Sequence, residues 1–255
     1  MGSLSSRDES EVQRSAIDAS RRSSGSLLAP PNLVARYADP NPGTPHSLEY
    51  CFHLLGDVQG KEVLDLGCGA GENTLLLASR GARVTSVDIS PDLIEIARER
   101  LAVNNLTASL RVASAYDTGM PDGSVDVVFC AAILHHLEAE KAHGEVLRVL
   151  KPGGLLILEE PVRDSRFYGF LRGLIPHSSH DNSEFERPLT KQEMDSFSAG
   201  FQCEAKRRFR LPFVALARMA GYWKRSVYLA DRWALRNIPA LEHFATVEVR
   251  KLRRS

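Results

Sequence analysis

Between about residues 62 and 160, short apolar runs of strand length alternate with longer stretches of helical spacing. The runs are EVLDLG, RVTSVD, SLRVAS, VDVVFCAAI and GLLILEE, and between them stand NTLLLASRG, PDLIEIARERLAVNN and LEAEKAHGEVLRVL. Strict strand–helix alternation predicts crossover units and an α/β fold whose parallel sheet is covered on both faces. Ser90 before Pro91 supplies an N-cap and a first-turn proline, after which Leu93, Ile94, Ala97 and Leu101 share one helix face. KPGG at 151–154 predicts a turn that stops one helix and launches the next strand.

The flanks are less regular. Residues 1–28 are rich in Ser and Arg with little to bury and are expected to form a flexible tail, leaving 29–255 as a single domain. Pro30, Pro31, Pro40, Pro42 and Pro45 predict a loop or extended cover, followed by a helix through Leu48, Cys51, Leu54 and Leu55. Alternation fails after Glu160. Residues 161–200 predict an insertion or lid with a short apolar helix, a polar loop and a second helix from about Thr190. Two further strands, FQCEAKRRFRL and FATVEVRKL, enclose an apolar and basic stretch at 212–240.

Composition narrows the setting. The 255 residues carry 32 Lys and Arg against 32 Asp and Glu, so no overall charge draws the chain to nucleic acid, which is disfavoured as a partner. The distribution is uneven: residues 201–255 hold 13 Lys and Arg against 4 Asp and Glu. The four cysteines have neither metal-ligand nor disulfide spacing, which fits a reducing, cytoplasmic setting and no metal site. No apolar run has membrane-spanning length, and the N-terminal segment lacks the apolar core of a secretory signal.

The chemistry concentrates at EVLDLGCGAGENT, residues 62–74, where Gly67, Gly69 and Gly71 follow a strand. Such a turn lies at the carboxyl end of a parallel sheet, where ligands bind. Two features oppose a dinucleotide. The position that needs a small residue for helix packing is Glu72, and Asp65 with Glu72 would repel a pyrophosphate. A ligand with an ammonium and a sulfonium group suits that charge, and S-adenosylmethionine has both. Asp88 ends the second strand, 21 residues after Gly67, where an acid can accept from ribose hydroxyls, with Ile89 beside it for the adenine face.

Through these residues the chain resembles the class I S-adenosylmethionine-dependent methyltransferases, of the small-molecule, type-11-like kind. VLDLGCGAG is similar to their first motif, VDIS to their ribose-binding segment, MPDGSVDVVFCAAILHHL to their fourth-strand region and VLRVLKPGGLLILEEP to their fifth. The resemblance implies a Rossmann-like seven-stranded sheet of order 3-2-1-4-5-7-6, with strand 7 antiparallel and formed by FATVEVRKL. It carries cofactor contacts to Asp65, Gly67, Cys68, Gly69, Gly71, Asp88, Ile89 and Cys130. In VASAYD many relatives have an Asp where this chain has Ser114, so the adenine contact is assigned to Ser114 and Ala115, with Tyr116 as a stacking partner.

Methyl transfer to a hydroxyl needs alignment, exclusion of water and a base. The Asp/Asn-Pro-Pro-aromatic motif of nucleobase and glutamine N-methyltransferases and the Pro-Cys of cytosine C5 enzymes are both missing after the fourth strand, which points to a small-molecule acceptor. FCAAILHHLE instead offers His135 and His136, either as a base or as residues that shape the turn. By resemblance to small-molecule O-methyltransferases the later histidine, His136, is preferred, with Glu160 or Glu159 at the fifth strand end to orient it or to bind a substrate hydroxyl. The lid adds Tyr168, Phe170, His177, His180 and Asp181 as further candidates. For 212–240 two readings stay open: helices packed on the sheet, or peripheral contact with a membrane surface that admits a lipidic quinone precursor. The sequence is silent on oligomeric state and on the methylated atom. A cofactor-binding protein without turnover is the competing class.

Overall fold

The structure is a computed structural model and describes residues 27–163, 187–222 and 224–255. Its strands are β1 (Glu62–Leu66), β2 (Arg83–Asp88), β3 (Ser109–Val112), β4 (Val125–Ala131), β5 (Leu150–Pro161), β6 (Phe201–Phe209) and β7 (Val247–Arg254). They form one sheet of order β3-β2-β1-β4-β5-β7-β6. β1 to β5 pair in parallel, and β7 runs antiparallel to both β5 and β6. This is the order and the antiparallel strand that the resemblance implied.

The helices among the described residues are α1 (Pro31–Ala38), α2 (Ser47–Leu55), α3 (Glu72–Ser79), α4 (Pro91–Val103), α5 (Ala139–Val149), α6 (Lys191–Phe197), α7 (Pro212–Met219) and α8 (Arg225–Asn237). Strand residues alternate between two buried layers. Val63, Val127, Phe129 and Ile157 pack with Phe52 and Leu55 of α2 and Leu75 of α3. Leu64, Leu66, Val128, Leu156 and Leu158 pack on the other face with Val146 of α5 and with Met194 and Phe197 of α6. The central strands are therefore apolar on both faces over most of their length, which is why their period-two signal is weak in the sequence.

Two local expectations change. The proline-rich segment predicted as loop contains α1: Pro31 occupies the first turn, where no amide donor is required, and Tyr37 buries against Phe52 with ring centroids 5.2 Å apart. The KPGG turn lies inside β5. Pairing jumps from Val125–Leu150 to Val127–Leu155, so β5 carries three extra residues there, and Gly153 takes φ +74°. At the N-terminal boundary, Leu27 and Ala29 are tied to the Asn104 amide at 2.9 and 2.8 Å. Of the predicted lid, the helix from Thr190 is α6, closed by a reciprocal Thr190–Glu193 capping box. α6 packs beside α5 on the sheet face.

A buried ion cluster fastens β6 to β7. Glu248 is fully buried and holds Arg208 at 2.7 Å and Arg250 at 2.5 Å, while Arg250 continues to Asp195 at 2.8 Å and the Met194 carbonyl at 3.0 Å. Removing one partner strands two buried guanidiniums. Glu248→Gln should therefore lower unfolding free energy in urea by about 3–5 kcal/mol, the range for breaking a buried pair. A loss below about 1 kcal/mol, the size of an exposed pair, would contradict this account.

Candidate active site

β1 delivers the glycine turn to the carboxyl edge of the sheet. Gly67 and Cys68 donate to the Val87 carbonyl at 2.8 and 3.0 Å, which clamps the turn to the end of β2. Gly67 has φ +70°, and a Cβ there would meet Ile133 Cγ1 at 2.5 Å, so its bareness seats the loop after β4. Gly71 abuts Ala97 of α4 in the same way. Only Gly69 of the three has its Cβ side open, with no atom within 4 Å. The approach surface expected of all three glycines thus narrows to Gly69.

Asp65 lies behind this turn. It is 1% exposed and accepts from the Thr74 hydroxyl at 2.7 Å, and Thr74 bonds Ser86 at 2.9 Å. Burial pushes its carboxyl up to about 7, opposed by the Thr74 hydrogen bond and reinforced by the neighbouring charges of Asp88 and Glu72. Asp65 therefore meets a ligand only across the turn, where a cation would favour its ionised form. Glu72 is bound to Arg100 at 3.1 Å.

Asp88 is held in readiness: one oxygen accepts from Gly69 N at 2.8 Å and the other from Ser90 N at 3.0 Å. Each carboxylate oxygen has a second lone pair, so this geometry fits a ribose diol beside Gly69. Ile89 follows, half-buried. Ser114 and Asp117 form a tight bridge, and Ser114 Oγ accepts from Tyr116 N at 3.2 Å. Ala115 is half-buried between them. The Tyr116 hydroxyl accepts from Glu138 N at 2.8 Å, which fixes the ring against the segment leading into α5. Cys68 and Cys130 are buried, and Cys130 sits in the α5-side core. An open turn and an anchored acid together fit S-adenosylmethionine, and a cation across the turn would favour the ionised form of Asp65.

The β4 exit holds the second half of the site. Glu160 is fully buried at the end of β5. Its Oε1 accepts from Ile133 N at 2.9 Å and Leu134 N at 2.7 Å, and its Oε2 meets His135 Nδ1 at 2.8 Å. A bonded carboxylate fixes Nδ1 as the donor and leaves Nε2 as the basic nitrogen. The glutamate therefore grips His135, whereas the sequence reading gave preference to His136. His136 is buried, with its ring 4.0 Å from that of His135. Position alone does not separate two adjacent histidines; the one-turn 3-10 helix Leu134–His136 decides which faces the β5 end.

Glu159 alternates to the opposite face. There it bonds the Ser47 hydroxyl and feels Arg210, while burial pushes its carboxyl above the usual range. Sequence reasoning missed Thr74, Ser47 and Ala132. Ala132 takes φ +57° and donates to the Glu159 carbonyl at 2.7 Å, a left-handed kink that folds the β4 exit back over β5. No sequence signal marks it. Tyr168, Phe170, His177, His180 and Asp181 lie outside the described residues.

Comparison with known proteins agrees with this geometry. A methyltransferase domain model matches residues 64–158. The demethylmenaquinone methyltransferase of Tropheryma whipplei is 34% identical over 188 residues, covering 65% of this chain and 76% of that protein. The ubiquinone biosynthesis O-methyltransferase of Xanthomonas oryzae is 32% identical over 153 residues, covering 56% of this chain. The chain spans 64% of the length of that relative. Among solved structures, the magnesium protoporphyrin IX methyltransferase of Synechocystis with bound S-adenosylmethionine superposes with a TM-score of 0.58 at 17% identity, over the full length of both chains. The [4+2]-cyclase SpnF does so with a TM-score of 0.62 at 17% identity, over 100% of this chain and 97% of its own. These last two likenesses are of fold.

The Asp65 carboxyl gives a pH signature. Its folded value, about 7, stands above the ordinary 3.8. Stability from the neutral form is complete below the ordinary value and is lost as pH rises through 7. In urea titrations of the ligand-free chain, the stability of wild type minus that of Asp65→Asn should fall between pH 4 and pH 7, by on the order of 4 kcal/mol in full. A difference that stays flat over that window would show Asp65 to be ionised in the fold.

Proposed function

This chain belongs to the class I S-adenosylmethionine-dependent methyltransferases, and from that premise we propose that it O-methylates a hydroxyl on a small aromatic or quinone-type acceptor. The observation that carries the proposal is the 2.8 Å contact between His135 Nδ1 and the buried Glu160 carboxylate, at the mouth of the cofactor turn. The names of the two relatives, both methyltransferases named for quinone chemistry, support the choice of acceptor class.

S-adenosylmethionine supplies a methyl group on sulfonium sulfur, which leaves as a neutral thioether. The protein's part is alignment and proton removal. His135 Nε2 takes the hydroxyl proton as the oxygen–methyl bond forms and the sulfur–methyl bond breaks. Glu160, held by two backbone amides, keeps the imidazole in one tautomer and stabilises the imidazolium. Asp88 and Gly69 hold the ribose side, and the Asp65 carboxyl behind the turn is drawn toward its ionised form by the cation. His136, in ring contact with His135, is the alternative base.

A second reading, C-methylation of a lipidic quinone precursor, draws support from one surface. Of the twelve large apolar side chains exposed among the described residues, eight fall between Phe213 and Phe244. They stand among Arg218, Lys224, Arg225, Arg232 and Arg236, a composition suited to a membrane interface.

Single-turnover assays with hydroxylated quinone precursors test the assignment. His135→Ala should lower the transfer rate by about 10²–10⁴-fold, the usual contribution of a general base. Its affinity for S-adenosylmethionine should stay within twofold of wild type, and His136→Ala should retain most of the rate. The reverse ranking moves the base to His136. A methyl label recovered on carbon replaces the first reading with the second, and binding without transfer to any acceptor contradicts both. In calorimetry, Asp88→Ala should weaken cofactor affinity by at least about tenfold, for loss of hydrogen bonds to a charged group.

A further inference from the structure

A second site stands apart from these residues, at the β6 edge of the sheet. A cavity of about 350 Å³ opens between α2, the carboxyl end of β6 and α8, and Arg207, Arg232 and Arg236 all line it. Its size suits a small organic ligand. None of the cofactor-turn residues, and neither His135 nor His136, takes part in it.

Four arginines line this cavity, Arg207, Arg208, Arg232 and Arg236, against two acids, Asp231 and Glu242. Arg207 is half-buried, with its guanidinium 4.8 Å from the Tyr50 ring and 4.5 Å from the Phe209 ring, and it donates to the carbonyls of Pro42 at 3.1 Å and Thr44 at 2.8 Å. Those partners are neutral. Arg232 is half-buried against the same loop, so close to Gly43 that a Cβ there would stand 2.7 Å from its Nη1. Among the described residues no carboxylate pairs with Arg232 or with Arg236. Asp231, which also lines the cavity, accepts from Arg210 N at 3.0 Å and Leu211 N at 2.7 Å, and its charge offsets part of that of Arg207. Arg208 is already bound to Glu248 at 2.7 Å. Burial, and after it the charge of Arg232, pulls the Arg207 guanidinium below its usual range, against the opposing pull of Tyr50 and Asp231. His53 completes the wall; its Nδ1 donates to the Pro40 carbonyl at 3.0 Å.

We propose that this cavity is a binding site for an oxyanion of the phosphate class, held by Arg207 and Arg232 with Arg236 at the rim. Guanidiniums fixed by stacking and by carbonyl bonds lose little freedom on binding, and their planar forks match phosphate oxygens. Without an anion, half-buried Arg207 and Arg232 line one cavity with only Asp231 and Glu242 to offset them and Arg236, at a cost in both desolvation and repulsion. The anion is a soluble phosphate compound or the headgroup of a lipid, since Arg232 and Arg236 share α8 with the exposed Leu229 and Trp233.

The full chain is titrated with inorganic phosphate by calorimetry and by heat denaturation, against sodium chloride at matched ionic strength. Saturable binding with a rise in Tm beyond that of chloride is expected. Arg232→Gln should weaken it by about tenfold or more, the loss of a charge-assisted contact. Arg236→Gln, at an exposed position that leaves the core untouched, should weaken it less and keeps the test valid if Arg232→Gln folds poorly. Phosphatidylglycerol vesicles that bind wild type and are displaced by phosphate assign the site to a lipid headgroup. Vesicles that fail to bind, with phosphate still bound, assign it to a soluble phosphate compound. Both outcomes support the site. Phosphate that stabilises no more than chloride, or that binds both variants as tightly as wild type, overturns it.

Discussion

The site depends on a carboxylate that has no water. Glu160 is fully buried at the end of β5, and burying such a charge is tolerable only if its lone pairs are filled. Two backbone amides and one imidazole fill them, so the loop after β4 can take only the path that brings Ile133, Leu134 and His135 to that carboxylate. The kink at Ala132 and the bare face of Gly67, which seats Ile133, accommodate that path. Position of the histidine and position of the cofactor turn are therefore one constraint.

The same economy of charge extends across the sheet. Directly opposite Glu160 on β7 is Glu248, also fully buried, so two carboxylates sit side by side on neighbouring strands. Unscreened, they would repel each other. Glu248 is instead neutralised by Arg208 and Arg250, while Glu160 spends its charge on the β4 loop. The basic bias of the C-terminal quarter thus has separate physical origins. Arg208 and Arg250 are fastened in the core, whereas Arg207, Arg232 and Arg236 line a cavity at the outer edge. A count of charges along the chain sees one basic region, but the fold divides it.

Much of this is written locally in the sequence. Ser90 and Pro91 do cap a helix, with the Ser90 hydroxyl accepting from Leu93 N at 3.3 Å, and Leu93, Ile94, Ala97 and Leu101 are buried as their spacing requires. Asp88 stands at the end of β2, where the local pattern puts it. What was not legible depends on contacts between distant segments. Which of His135 and His136 meets Glu160 is set by a single 3-10 turn, and Asp65 looks like a ligand-facing acid until Thr74, nine residues on, covers it. α1 was hidden by its prolines, since a proline that starts a helix and one that forbids it read alike until Tyr37 is seen against Phe52.

The central claim is that Glu160 selects the state of His135, and nitrogen-resolved NMR of histidine-labelled protein reads this directly. The account predicts that His135 in the neutral form carries its proton on Nδ1, with Nε2 showing the shift of an unprotonated nitrogen, and that Glu160→Gln abolishes this preference while the other histidines keep their signals. A His135 protonated on Nε2 in wild type, or a tautomer unchanged by Glu160→Gln, would contradict it.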